Sequence, residues 1–444
     1  MSKVFSRNSR IQLPTVARGE GVYLYDKEGK QYLDGSGGAA VSSLGHSNER
    51  IITALNTQLE KLAFAHTGFF TSESAELLAE LLVKKAPKGL EKVYLVSGGS
   101  EAIEAAIKVA RQYFLETEQP QRSRIIARRQ SYHGNTLGAL AVGGNMWRRR
   151  QFAPLLIDTS HISPCFVYHG LHPWETVEQY SQRTANELEQ EILRLGSENV
   201  MAFIAEPVVG ATLGAVPPTS GYFRSIRKIC DKYGILFIAD EVMCGAGRTG
   251  SFFAIDQEKV IPDIITMAKG LGAGYQPLGA MMCQNYIHDA IATGSGFFQH
   301  GHTYQGHPMA AAAGVAVLEE IEEKGLIDRV NRTGKYLRSA LEDRFGQHPH
   351  IGDIRGRGLF FGLEFVADRE TNEPFNPEAN IAGKLKSAAM SKGLICYPMQ
   401  GTINGTCGDH VLLAPAYIIS EDQIEELVEK LASAVTGILG VTDR

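Results

Sequence analysis

The sequence predicts an α/β fold, with one large domain around a mostly parallel sheet and a smaller α/β domain built from both chain termini. Three observations carry this. From about residue 50 onward, amphipathic helical patterns alternate with short apolar runs that read as buried strands. Several of these runs end directly in charged or glycine-rich residues, which is where open α/β sheets place ligands. The length, 444 residues, exceeds one ordinary hydrophobic core.

The predicted strands are residues 92–96, 124–127, 202–205, 235–239, 264–268 and 278–283. Ahead of them, Val22-Tyr23-Leu24-Tyr25 and Gln31-Tyr32-Leu33 flank the turn Asp26-Lys27-Glu28-Gly29, a hairpin pattern. A small-residue helix is expected over 309–321, after which the pattern changes to helices and short strands. The expected layout is an N-terminal part of the small domain over 1–50, a large domain over 51–315 and a C-terminal small domain over 316–444.

Composition removes several function classes. A net charge of −5 gives no reason to expect nucleic acid or an anionic membrane as partner. No apolar run approaches the roughly 18–20 residues of a membrane span. The first residues lack the apolar stretch of a secretory signal. Six scattered cysteines without a C-x-x-C pair point to reduced thiols, and the expected location is the cytoplasm. No metal is expected: His300, His302 and His307 do not match a zinc spacing.

The chemistry concentrates in two places. Val93-Tyr94-Leu95-Val96 runs into Ser97-Gly98-Gly99-Ser100-Glu101 and then into a helical pattern through Ile103, Ala106, Ile107 and Ala110. Strand, glycine-rich turn and helix start together present free amides and the positive end of a helix dipole. Gly99 and Ser100 amides and the Ser100 hydroxyl are candidate phosphate ligands. The same pattern also describes an ordinary tight turn, and the turn lacks a P-loop lysine.

The second place is a pair of charges. Ile235–Ala239 ends in Asp240, and Ile264–Ala268 ends in Lys269. A buried charge at a strand end needs a partner, so a structural ion pair is one reading. The other is pyridoxal 5′-phosphate (PLP) chemistry, in which Lys269 carries the cofactor aldehyde and Asp240 keeps the pyridine nitrogen charged. Lys269 then moves the substrate proton as base and acid.

The run Ala239-Asp240-Glu241-Val242-Met243-Cys244-Gly245-Ala246-Gly247-Arg248-Thr249-Gly250, followed by Pro262-Asp263 and Ala268-Lys269-Gly270, resembles the cofactor signature of the class III aminotransferases. The likeness covers about residues 20 to 420 and implies PLP fold type I. It implies that Ser97–Ala102 is the phosphate turn and that Tyr132, in Ser131-Tyr132-His133-Gly134, stacks on the pyridine with Val242 on its other face. His133 beside it is counted with the cofactor-binding residues, and a structural hydrogen-bonding role is expected for it. Thr303, in His302-Thr303-Tyr304-Gln305-Gly306-His307-Pro308, is implied to reach the phosphate of a neighbouring subunit. That means a homodimer with shared sites, dimer versus tetramer being left open. Arg355-Gly356-Arg357-Gly358-Leu359 resembles a small-domain signature. The loops with Phe69, Phe70, Phe297 and Phe298 are implied to lie near the substrate pocket, though ordinary core packing would also explain these side chains.

Within the family the local wording resembles omega-aminotransferases that use pyruvate. The implied reaction is a ping-pong transfer from an amine or omega-amino acid to a keto acid. An aminomutase and a decarboxylase use the same fold and are the alternatives. One departure bears on substrate: relatives carry a carboxylate-binding arginine near the Gly408-Asp409-His410 run or the following Ala414-Pro415, whereas here no arginine lies between Arg369 and Arg444. Glu206, which pairs with that arginine in some relatives, is therefore expected to be free near the substrate. Either another cation binds carboxylates, or the pocket favours amines with apolar or cationic tails.

Overall fold

A computed structural model describes residues 3–440. Its centre is a seven-stranded sheet. The spatial order is Leu90–Val96, Gly279–Gln284, Ile264–Met267, Leu236–Asp240, Val200–Ala205, Arg124–Arg128 and Thr159–Ile162. All its neighbours pair in parallel except Gly279–Gln284, which runs antiparallel to both of its partners. Six of these strands are the predicted ones. The seventh, Thr159–Ile162, pairs with Arg124–Arg128 at the sheet edge. Its Thr-Ser-His-Ile wording has no apolar run, because only one side has a neighbour and three of its four residues are half-buried.

Val200–Ala205, Leu236–Asp240 and Ile264–Met267 are buried along their whole length, as strands covered by helices on both faces must be. One covering layer packs on Phe203, Phe237 and Ile265, and the other on Ile204, Ile238 and Ile264. Alternate side chains thus serve opposite layers. The helix Gly99–Glu116 belongs to the second layer through Ile103, Ala106, Ile107 and Ala110, the four positions that its sequence pattern singles out.

The predicted hairpin forms, with Tyr23–Asp26 antiparallel to Gln31–Asp34 and Val16–Glu20 added outside. Leu394–Ile395 joins the same sheet in parallel, beside Gln31–Asp34. A third sheet contains Ile351–Arg357, Phe360–Phe365, Asp409–Leu413 and Tyr397–Gln400, all antiparallel. Val22, Leu33 and Leu44 share one core with Leu337, Phe361, Leu394 and Leu427, so both ends of the chain fold into the same apolar body. The small-residue helix spans Pro308–Glu323. No helix among the described residues is long and apolar enough to cross a membrane.

The third sheet is pressed against the turn that follows Glu206. A Cβ on Gly362 would sit 2.1 Å from the carbonyl oxygen of Gly214, and Arg355 donates to the Gly214 carbonyl at 2.8 Å. Backbone meets backbone here, so no side chain can yield. Gly362→Ala is expected to cost about 1–3 kcal/mol, and a thermal unfolding midpoint equal to that of the parent would refute this close approach.

Candidate active site

The carboxyl ends of Leu236–Asp240 and Ile264–Met267 lie side by side, with Asp240 in register opposite Thr266. Next to them is a cavity of about 400 Å³ lined by Gly99, Ser100, Tyr132, His133, Glu206, Asp240, Val242 and Lys269, among others. Residues separated by up to 170 positions (269 − 99) are gathered by the parallel topology alone, since each follows a central strand.

Asp240 is buried and held by three donors, which leaves acceptor capacity on Oδ2. Its Oδ1 accepts from the Val242 amide (3.0 Å) and the Thr266 hydroxyl (3.3 Å), while Oδ2 accepts from His133 Nδ1 at 2.6 Å. Burial alone would pull the His133 imidazole down, but the Glu206 and Asp240 carboxylates outweigh it and raise its pKa. His133 Nε2 lies 4.0 Å from Glu206 Oε2, and neither atom has a hydrogen-bond partner among the described residues. His133 therefore sits between two carboxylates, and its bond to Oδ2 fixes Asp240 in place.

Lys269 opens a short 3₁₀ turn, Lys269–Leu271, with φ of 49°. Only glycine, and to a lesser degree asparagine, adopts this left-handed region without cost. Burial lowers the pKa of its amine, and the charge of Asp240 opposes that only in part. A depressed, strained lysine in a cavity is a functional signature. Among the described residues its side chain makes one hydrogen bond, to the Ala39 carbonyl, long at 3.4 Å.

The glycine turn gives the site its anion-binding end. Helix Gly99–Glu116 begins without a side-chain cap, which leaves the amides of its first turn to a ligand. A Cβ at Gly99 would meet Val242 Cγ1 at 2.8 Å. The Ser100 hydroxyl has a protein partner already: it donates to Asn135 Oδ1 (2.8 Å) and accepts from the Asn135 amide (3.0 Å). Glu101 is turned back to accept from the Ser97 amide at 2.9 Å. Uncapped amides, an aromatic and an aliphatic wall, a held carboxylate and a depressed lysine fit PLP.

Glu206 is not free, contrary to the sequence expectation. It is buried beside Arg128, whose Nη2 donates to the Glu206 carbonyl at 2.5 Å and lies 3.6 Å from Oε2. Its Oε1 accepts from the Tyr132 amide at 3.1 Å. Arg128 is the functional residue that sequence reasoning passed over. The signal was present, since Arg128 follows an apolar strand just as Asp240 does, and a buried charge in that position needs a partner.

Thr303, Phe297 and Phe298 line a separate depression of about 790 Å³ together with His66, Thr67 and His302. It adjoins the Lys269 cavity through His302 Nε2 and Ser97 Oγ, 3.1 Å apart. Phe69 and Phe70 are 81% and 69% exposed and are not among the residues lining the Lys269 cavity. In a single subunit, then, these three groups stand outside the reacting centre.

The likeness to known proteins is extensive. Residues 4–435 match the sequence model of the family described as aminotransferase class-III. An uncharacterized aminotransferase of Schizosaccharomyces pombe is 47% identical over 428 residues, 95% of this chain and 92% of that protein. The chloroplastic gamma aminobutyrate transaminase 3 of Solanum lycopersicum is 38% identical over 95% of this chain and 80% of its own length. Among solved structures, a thermostable (S)-enantioselective omega-transaminase from Thermomicrobium roseum superposes with a TM-score of 0.91 at 37% identity, covering 97% of this chain and 94% of that one. The omega transaminase from Pseudomonas jessenii in complex with PMP gives 0.93 at 33% identity, covering 99% and 96%.

Two outcomes follow from the geometry. Adding PLP at neutral pH and reducing with borohydride is expected to fix the pyridoxyl mass on the peptide containing Lys269, and Lys269→Ala is expected to lose that label. Gly99→Val is expected to weaken PLP binding by about tenfold or more, since the added side chain collides with Val242. Unchanged affinity in a fluorescence titration would show that the turn does not hold the cofactor.

Proposed function

This chain belongs to the class III aminotransferases, and we propose that it transfers an amino group from an amine or omega-amino acid to pyruvate by a ping-pong exchange. The observation that carries the reading is the meeting of Asp240 and Lys269 in one cavity, at the ends of paired strands. Class III aminotransferases use PLP. When bound, PLP supplies an aldehyde that takes the amino group and a ring that absorbs the electrons of a broken C–H bond.

The protein's own residues do the rest. Gly99 and Ser100 amides hold the phosphate, and Tyr132 and Val242 confine the ring. Asp240 presents a carboxylate whose position is set by three donors, His133 among them. The amine of Lys269, already depressed by burial, takes the proton from the substrate carbon and returns it. Thr303 serves the phosphate of a second copy of the chain, which makes the working unit a homodimer. The enzyme works in the cytoplasm.

Relatives named as gamma-aminobutyrate transaminases support omega-amino acids as donors, and the omega-transaminase structures support amines. Glu206 does not select cationic tails, because Arg128 balances its charge.

Titrating the holoenzyme with 1-phenylethylamine, beta-alanine and putrescine separates donor classes. The absorbance of the PLP form is expected near about 410–420 nm, to move to about 330 nm with the correct donor and to return on adding pyruvate. Recovery without any keto acid, or release of carbon dioxide, would favour the mutase or the decarboxylase instead. Asp240→Asn is expected to bind PLP and lose about a hundredfold or more in rate; turnover near the parent's would remove Asp240 from its electronic role.

A further inference from the structure

Among the described residues, Lys269 is the only lysine or arginine lining the reaction cavity. A keto acid also brings a carboxylate, which needs a cation away from the reacting carbon. Arg128 is committed to Glu206, and no arginine lies between Arg369 and Arg444.

We propose that Arg148 binds the substrate carboxylate and thereby sets the preference for keto-acid acceptors. Arg148 lies in the short helix Met146–Arg149, and its guanidinium carbon stands 4.7 Å from the ring centroid of Tyr132, a wall of the cavity. Its neighbours are occupied. Arg149 donates to the Leu140 and Gly143 carbonyls, and Arg129 donates to the His161 carbonyl and the Ser163 hydroxyl. The backbone amide of Arg148 donates to Asn145, at 3.1 Å to its carbonyl and 3.2 Å to its Oδ1. Among the described residues its guanidinium has no carboxylate partner, and Nε is buried without a hydrogen bond.

The location agrees with the role. The turn holding Arg148 packs against residues 401–408, the stretch where the resemblance expects the missing arginine. A Cβ on Gly405 would lie 3.2 Å from the Trp147 amide nitrogen. Gln130 Nε2 donates to the Gly401 and Thr402 carbonyls (2.6 and 3.0 Å), and Asn145 Nδ2 donates to Gln130 Oε1 at 3.4 Å. An arginine lost from one side of this joint is thus matched by one on the other side.

Stacking on Tyr132 holds the guanidinium without an ion pair, so an incoming carboxylate can draw it away and leave no charge unpaired behind. Its planar fork suits two-point binding of a carboxylate. A donor with an apolar tail leaves Arg148 on the ring. One wall can therefore serve an acid in one half-reaction and an apolar amine in the other.

This rests on the aminotransferase reading for its use in catalysis, but the binding itself can be measured without turnover. The PLP-loaded protein and its Arg148→Leu and Arg148→Lys variants are titrated with propionate by calorimetry. Pyruvate is then titrated against enzyme precharged with 1-phenylethylamine. Arg148→Leu is expected to weaken both propionate and pyruvate by about tenfold or more, with Arg148→Lys recovering part of the loss and the 1-phenylethylamine reaction within about twofold of the parent. Unchanged acid binding, no measurable propionate binding by the parent, or an equal fall in both half-reactions would overturn the proposal. If no donor reacts with the parent, the donor reading falls, and the propionate titration still decides for or against Arg148.

Discussion

The site depends on one constraint: a carboxylate and an amine are held at the ends of neighbouring strands, in a place that water reaches poorly. Burying either charge alone is costly, and the strand pairing that sets Asp240 opposite Thr266 leaves no freedom to move them apart. The protein meets the cost on the acid side with hydrogen bonds, one of them to His133, and on the lysine side by lowering the pKa of the amine. These solutions differ in purpose. The acid is held still by its donors, whereas the amine is kept ready to react.

A second pair of charges sits behind the first. Arg128 and Glu206 end adjacent strands and are both buried, so removing either would leave the other uncompensated, at a cost of about 3–5 kcal/mol. Glu206 also holds the Tyr132 amide and faces His133. The arginine thus acts on the electrostatics of the reacting centre without lining the cavity. His133, expected from the sequence as a hydrogen-bonding residue at the cofactor site, lies between the two acids.

Much of this was legible in the sequence because buried parallel strands announce themselves as continuous apolar runs. The six predicted central strands are all present, and Asp240 and Lys269 stood out as charges placed where apolar runs stop. The edge strand Thr159–Ile162 was not legible, because a strand with a neighbour on one side alone has no need of an apolar run. The partner of Glu206 escaped for a different reason: Arg128 and Glu206 are 78 residues apart, and only the sheet order brings their strands together. The engagement of the Ser100 hydroxyl by Asn135 is likewise a fact of loop placement that spacing does not encode.

The backbone at Lys269 has a consequence for anyone reshaping this enzyme. Its φ of 49° is a conformation in which glycine or asparagine would be at ease. A redesign scored on folding alone would therefore write one of those residues at 269 and gain stability by doing so. A position where the backbone is strained is here the one that chemistry has reserved, and a thermostabilising library must leave it untouched.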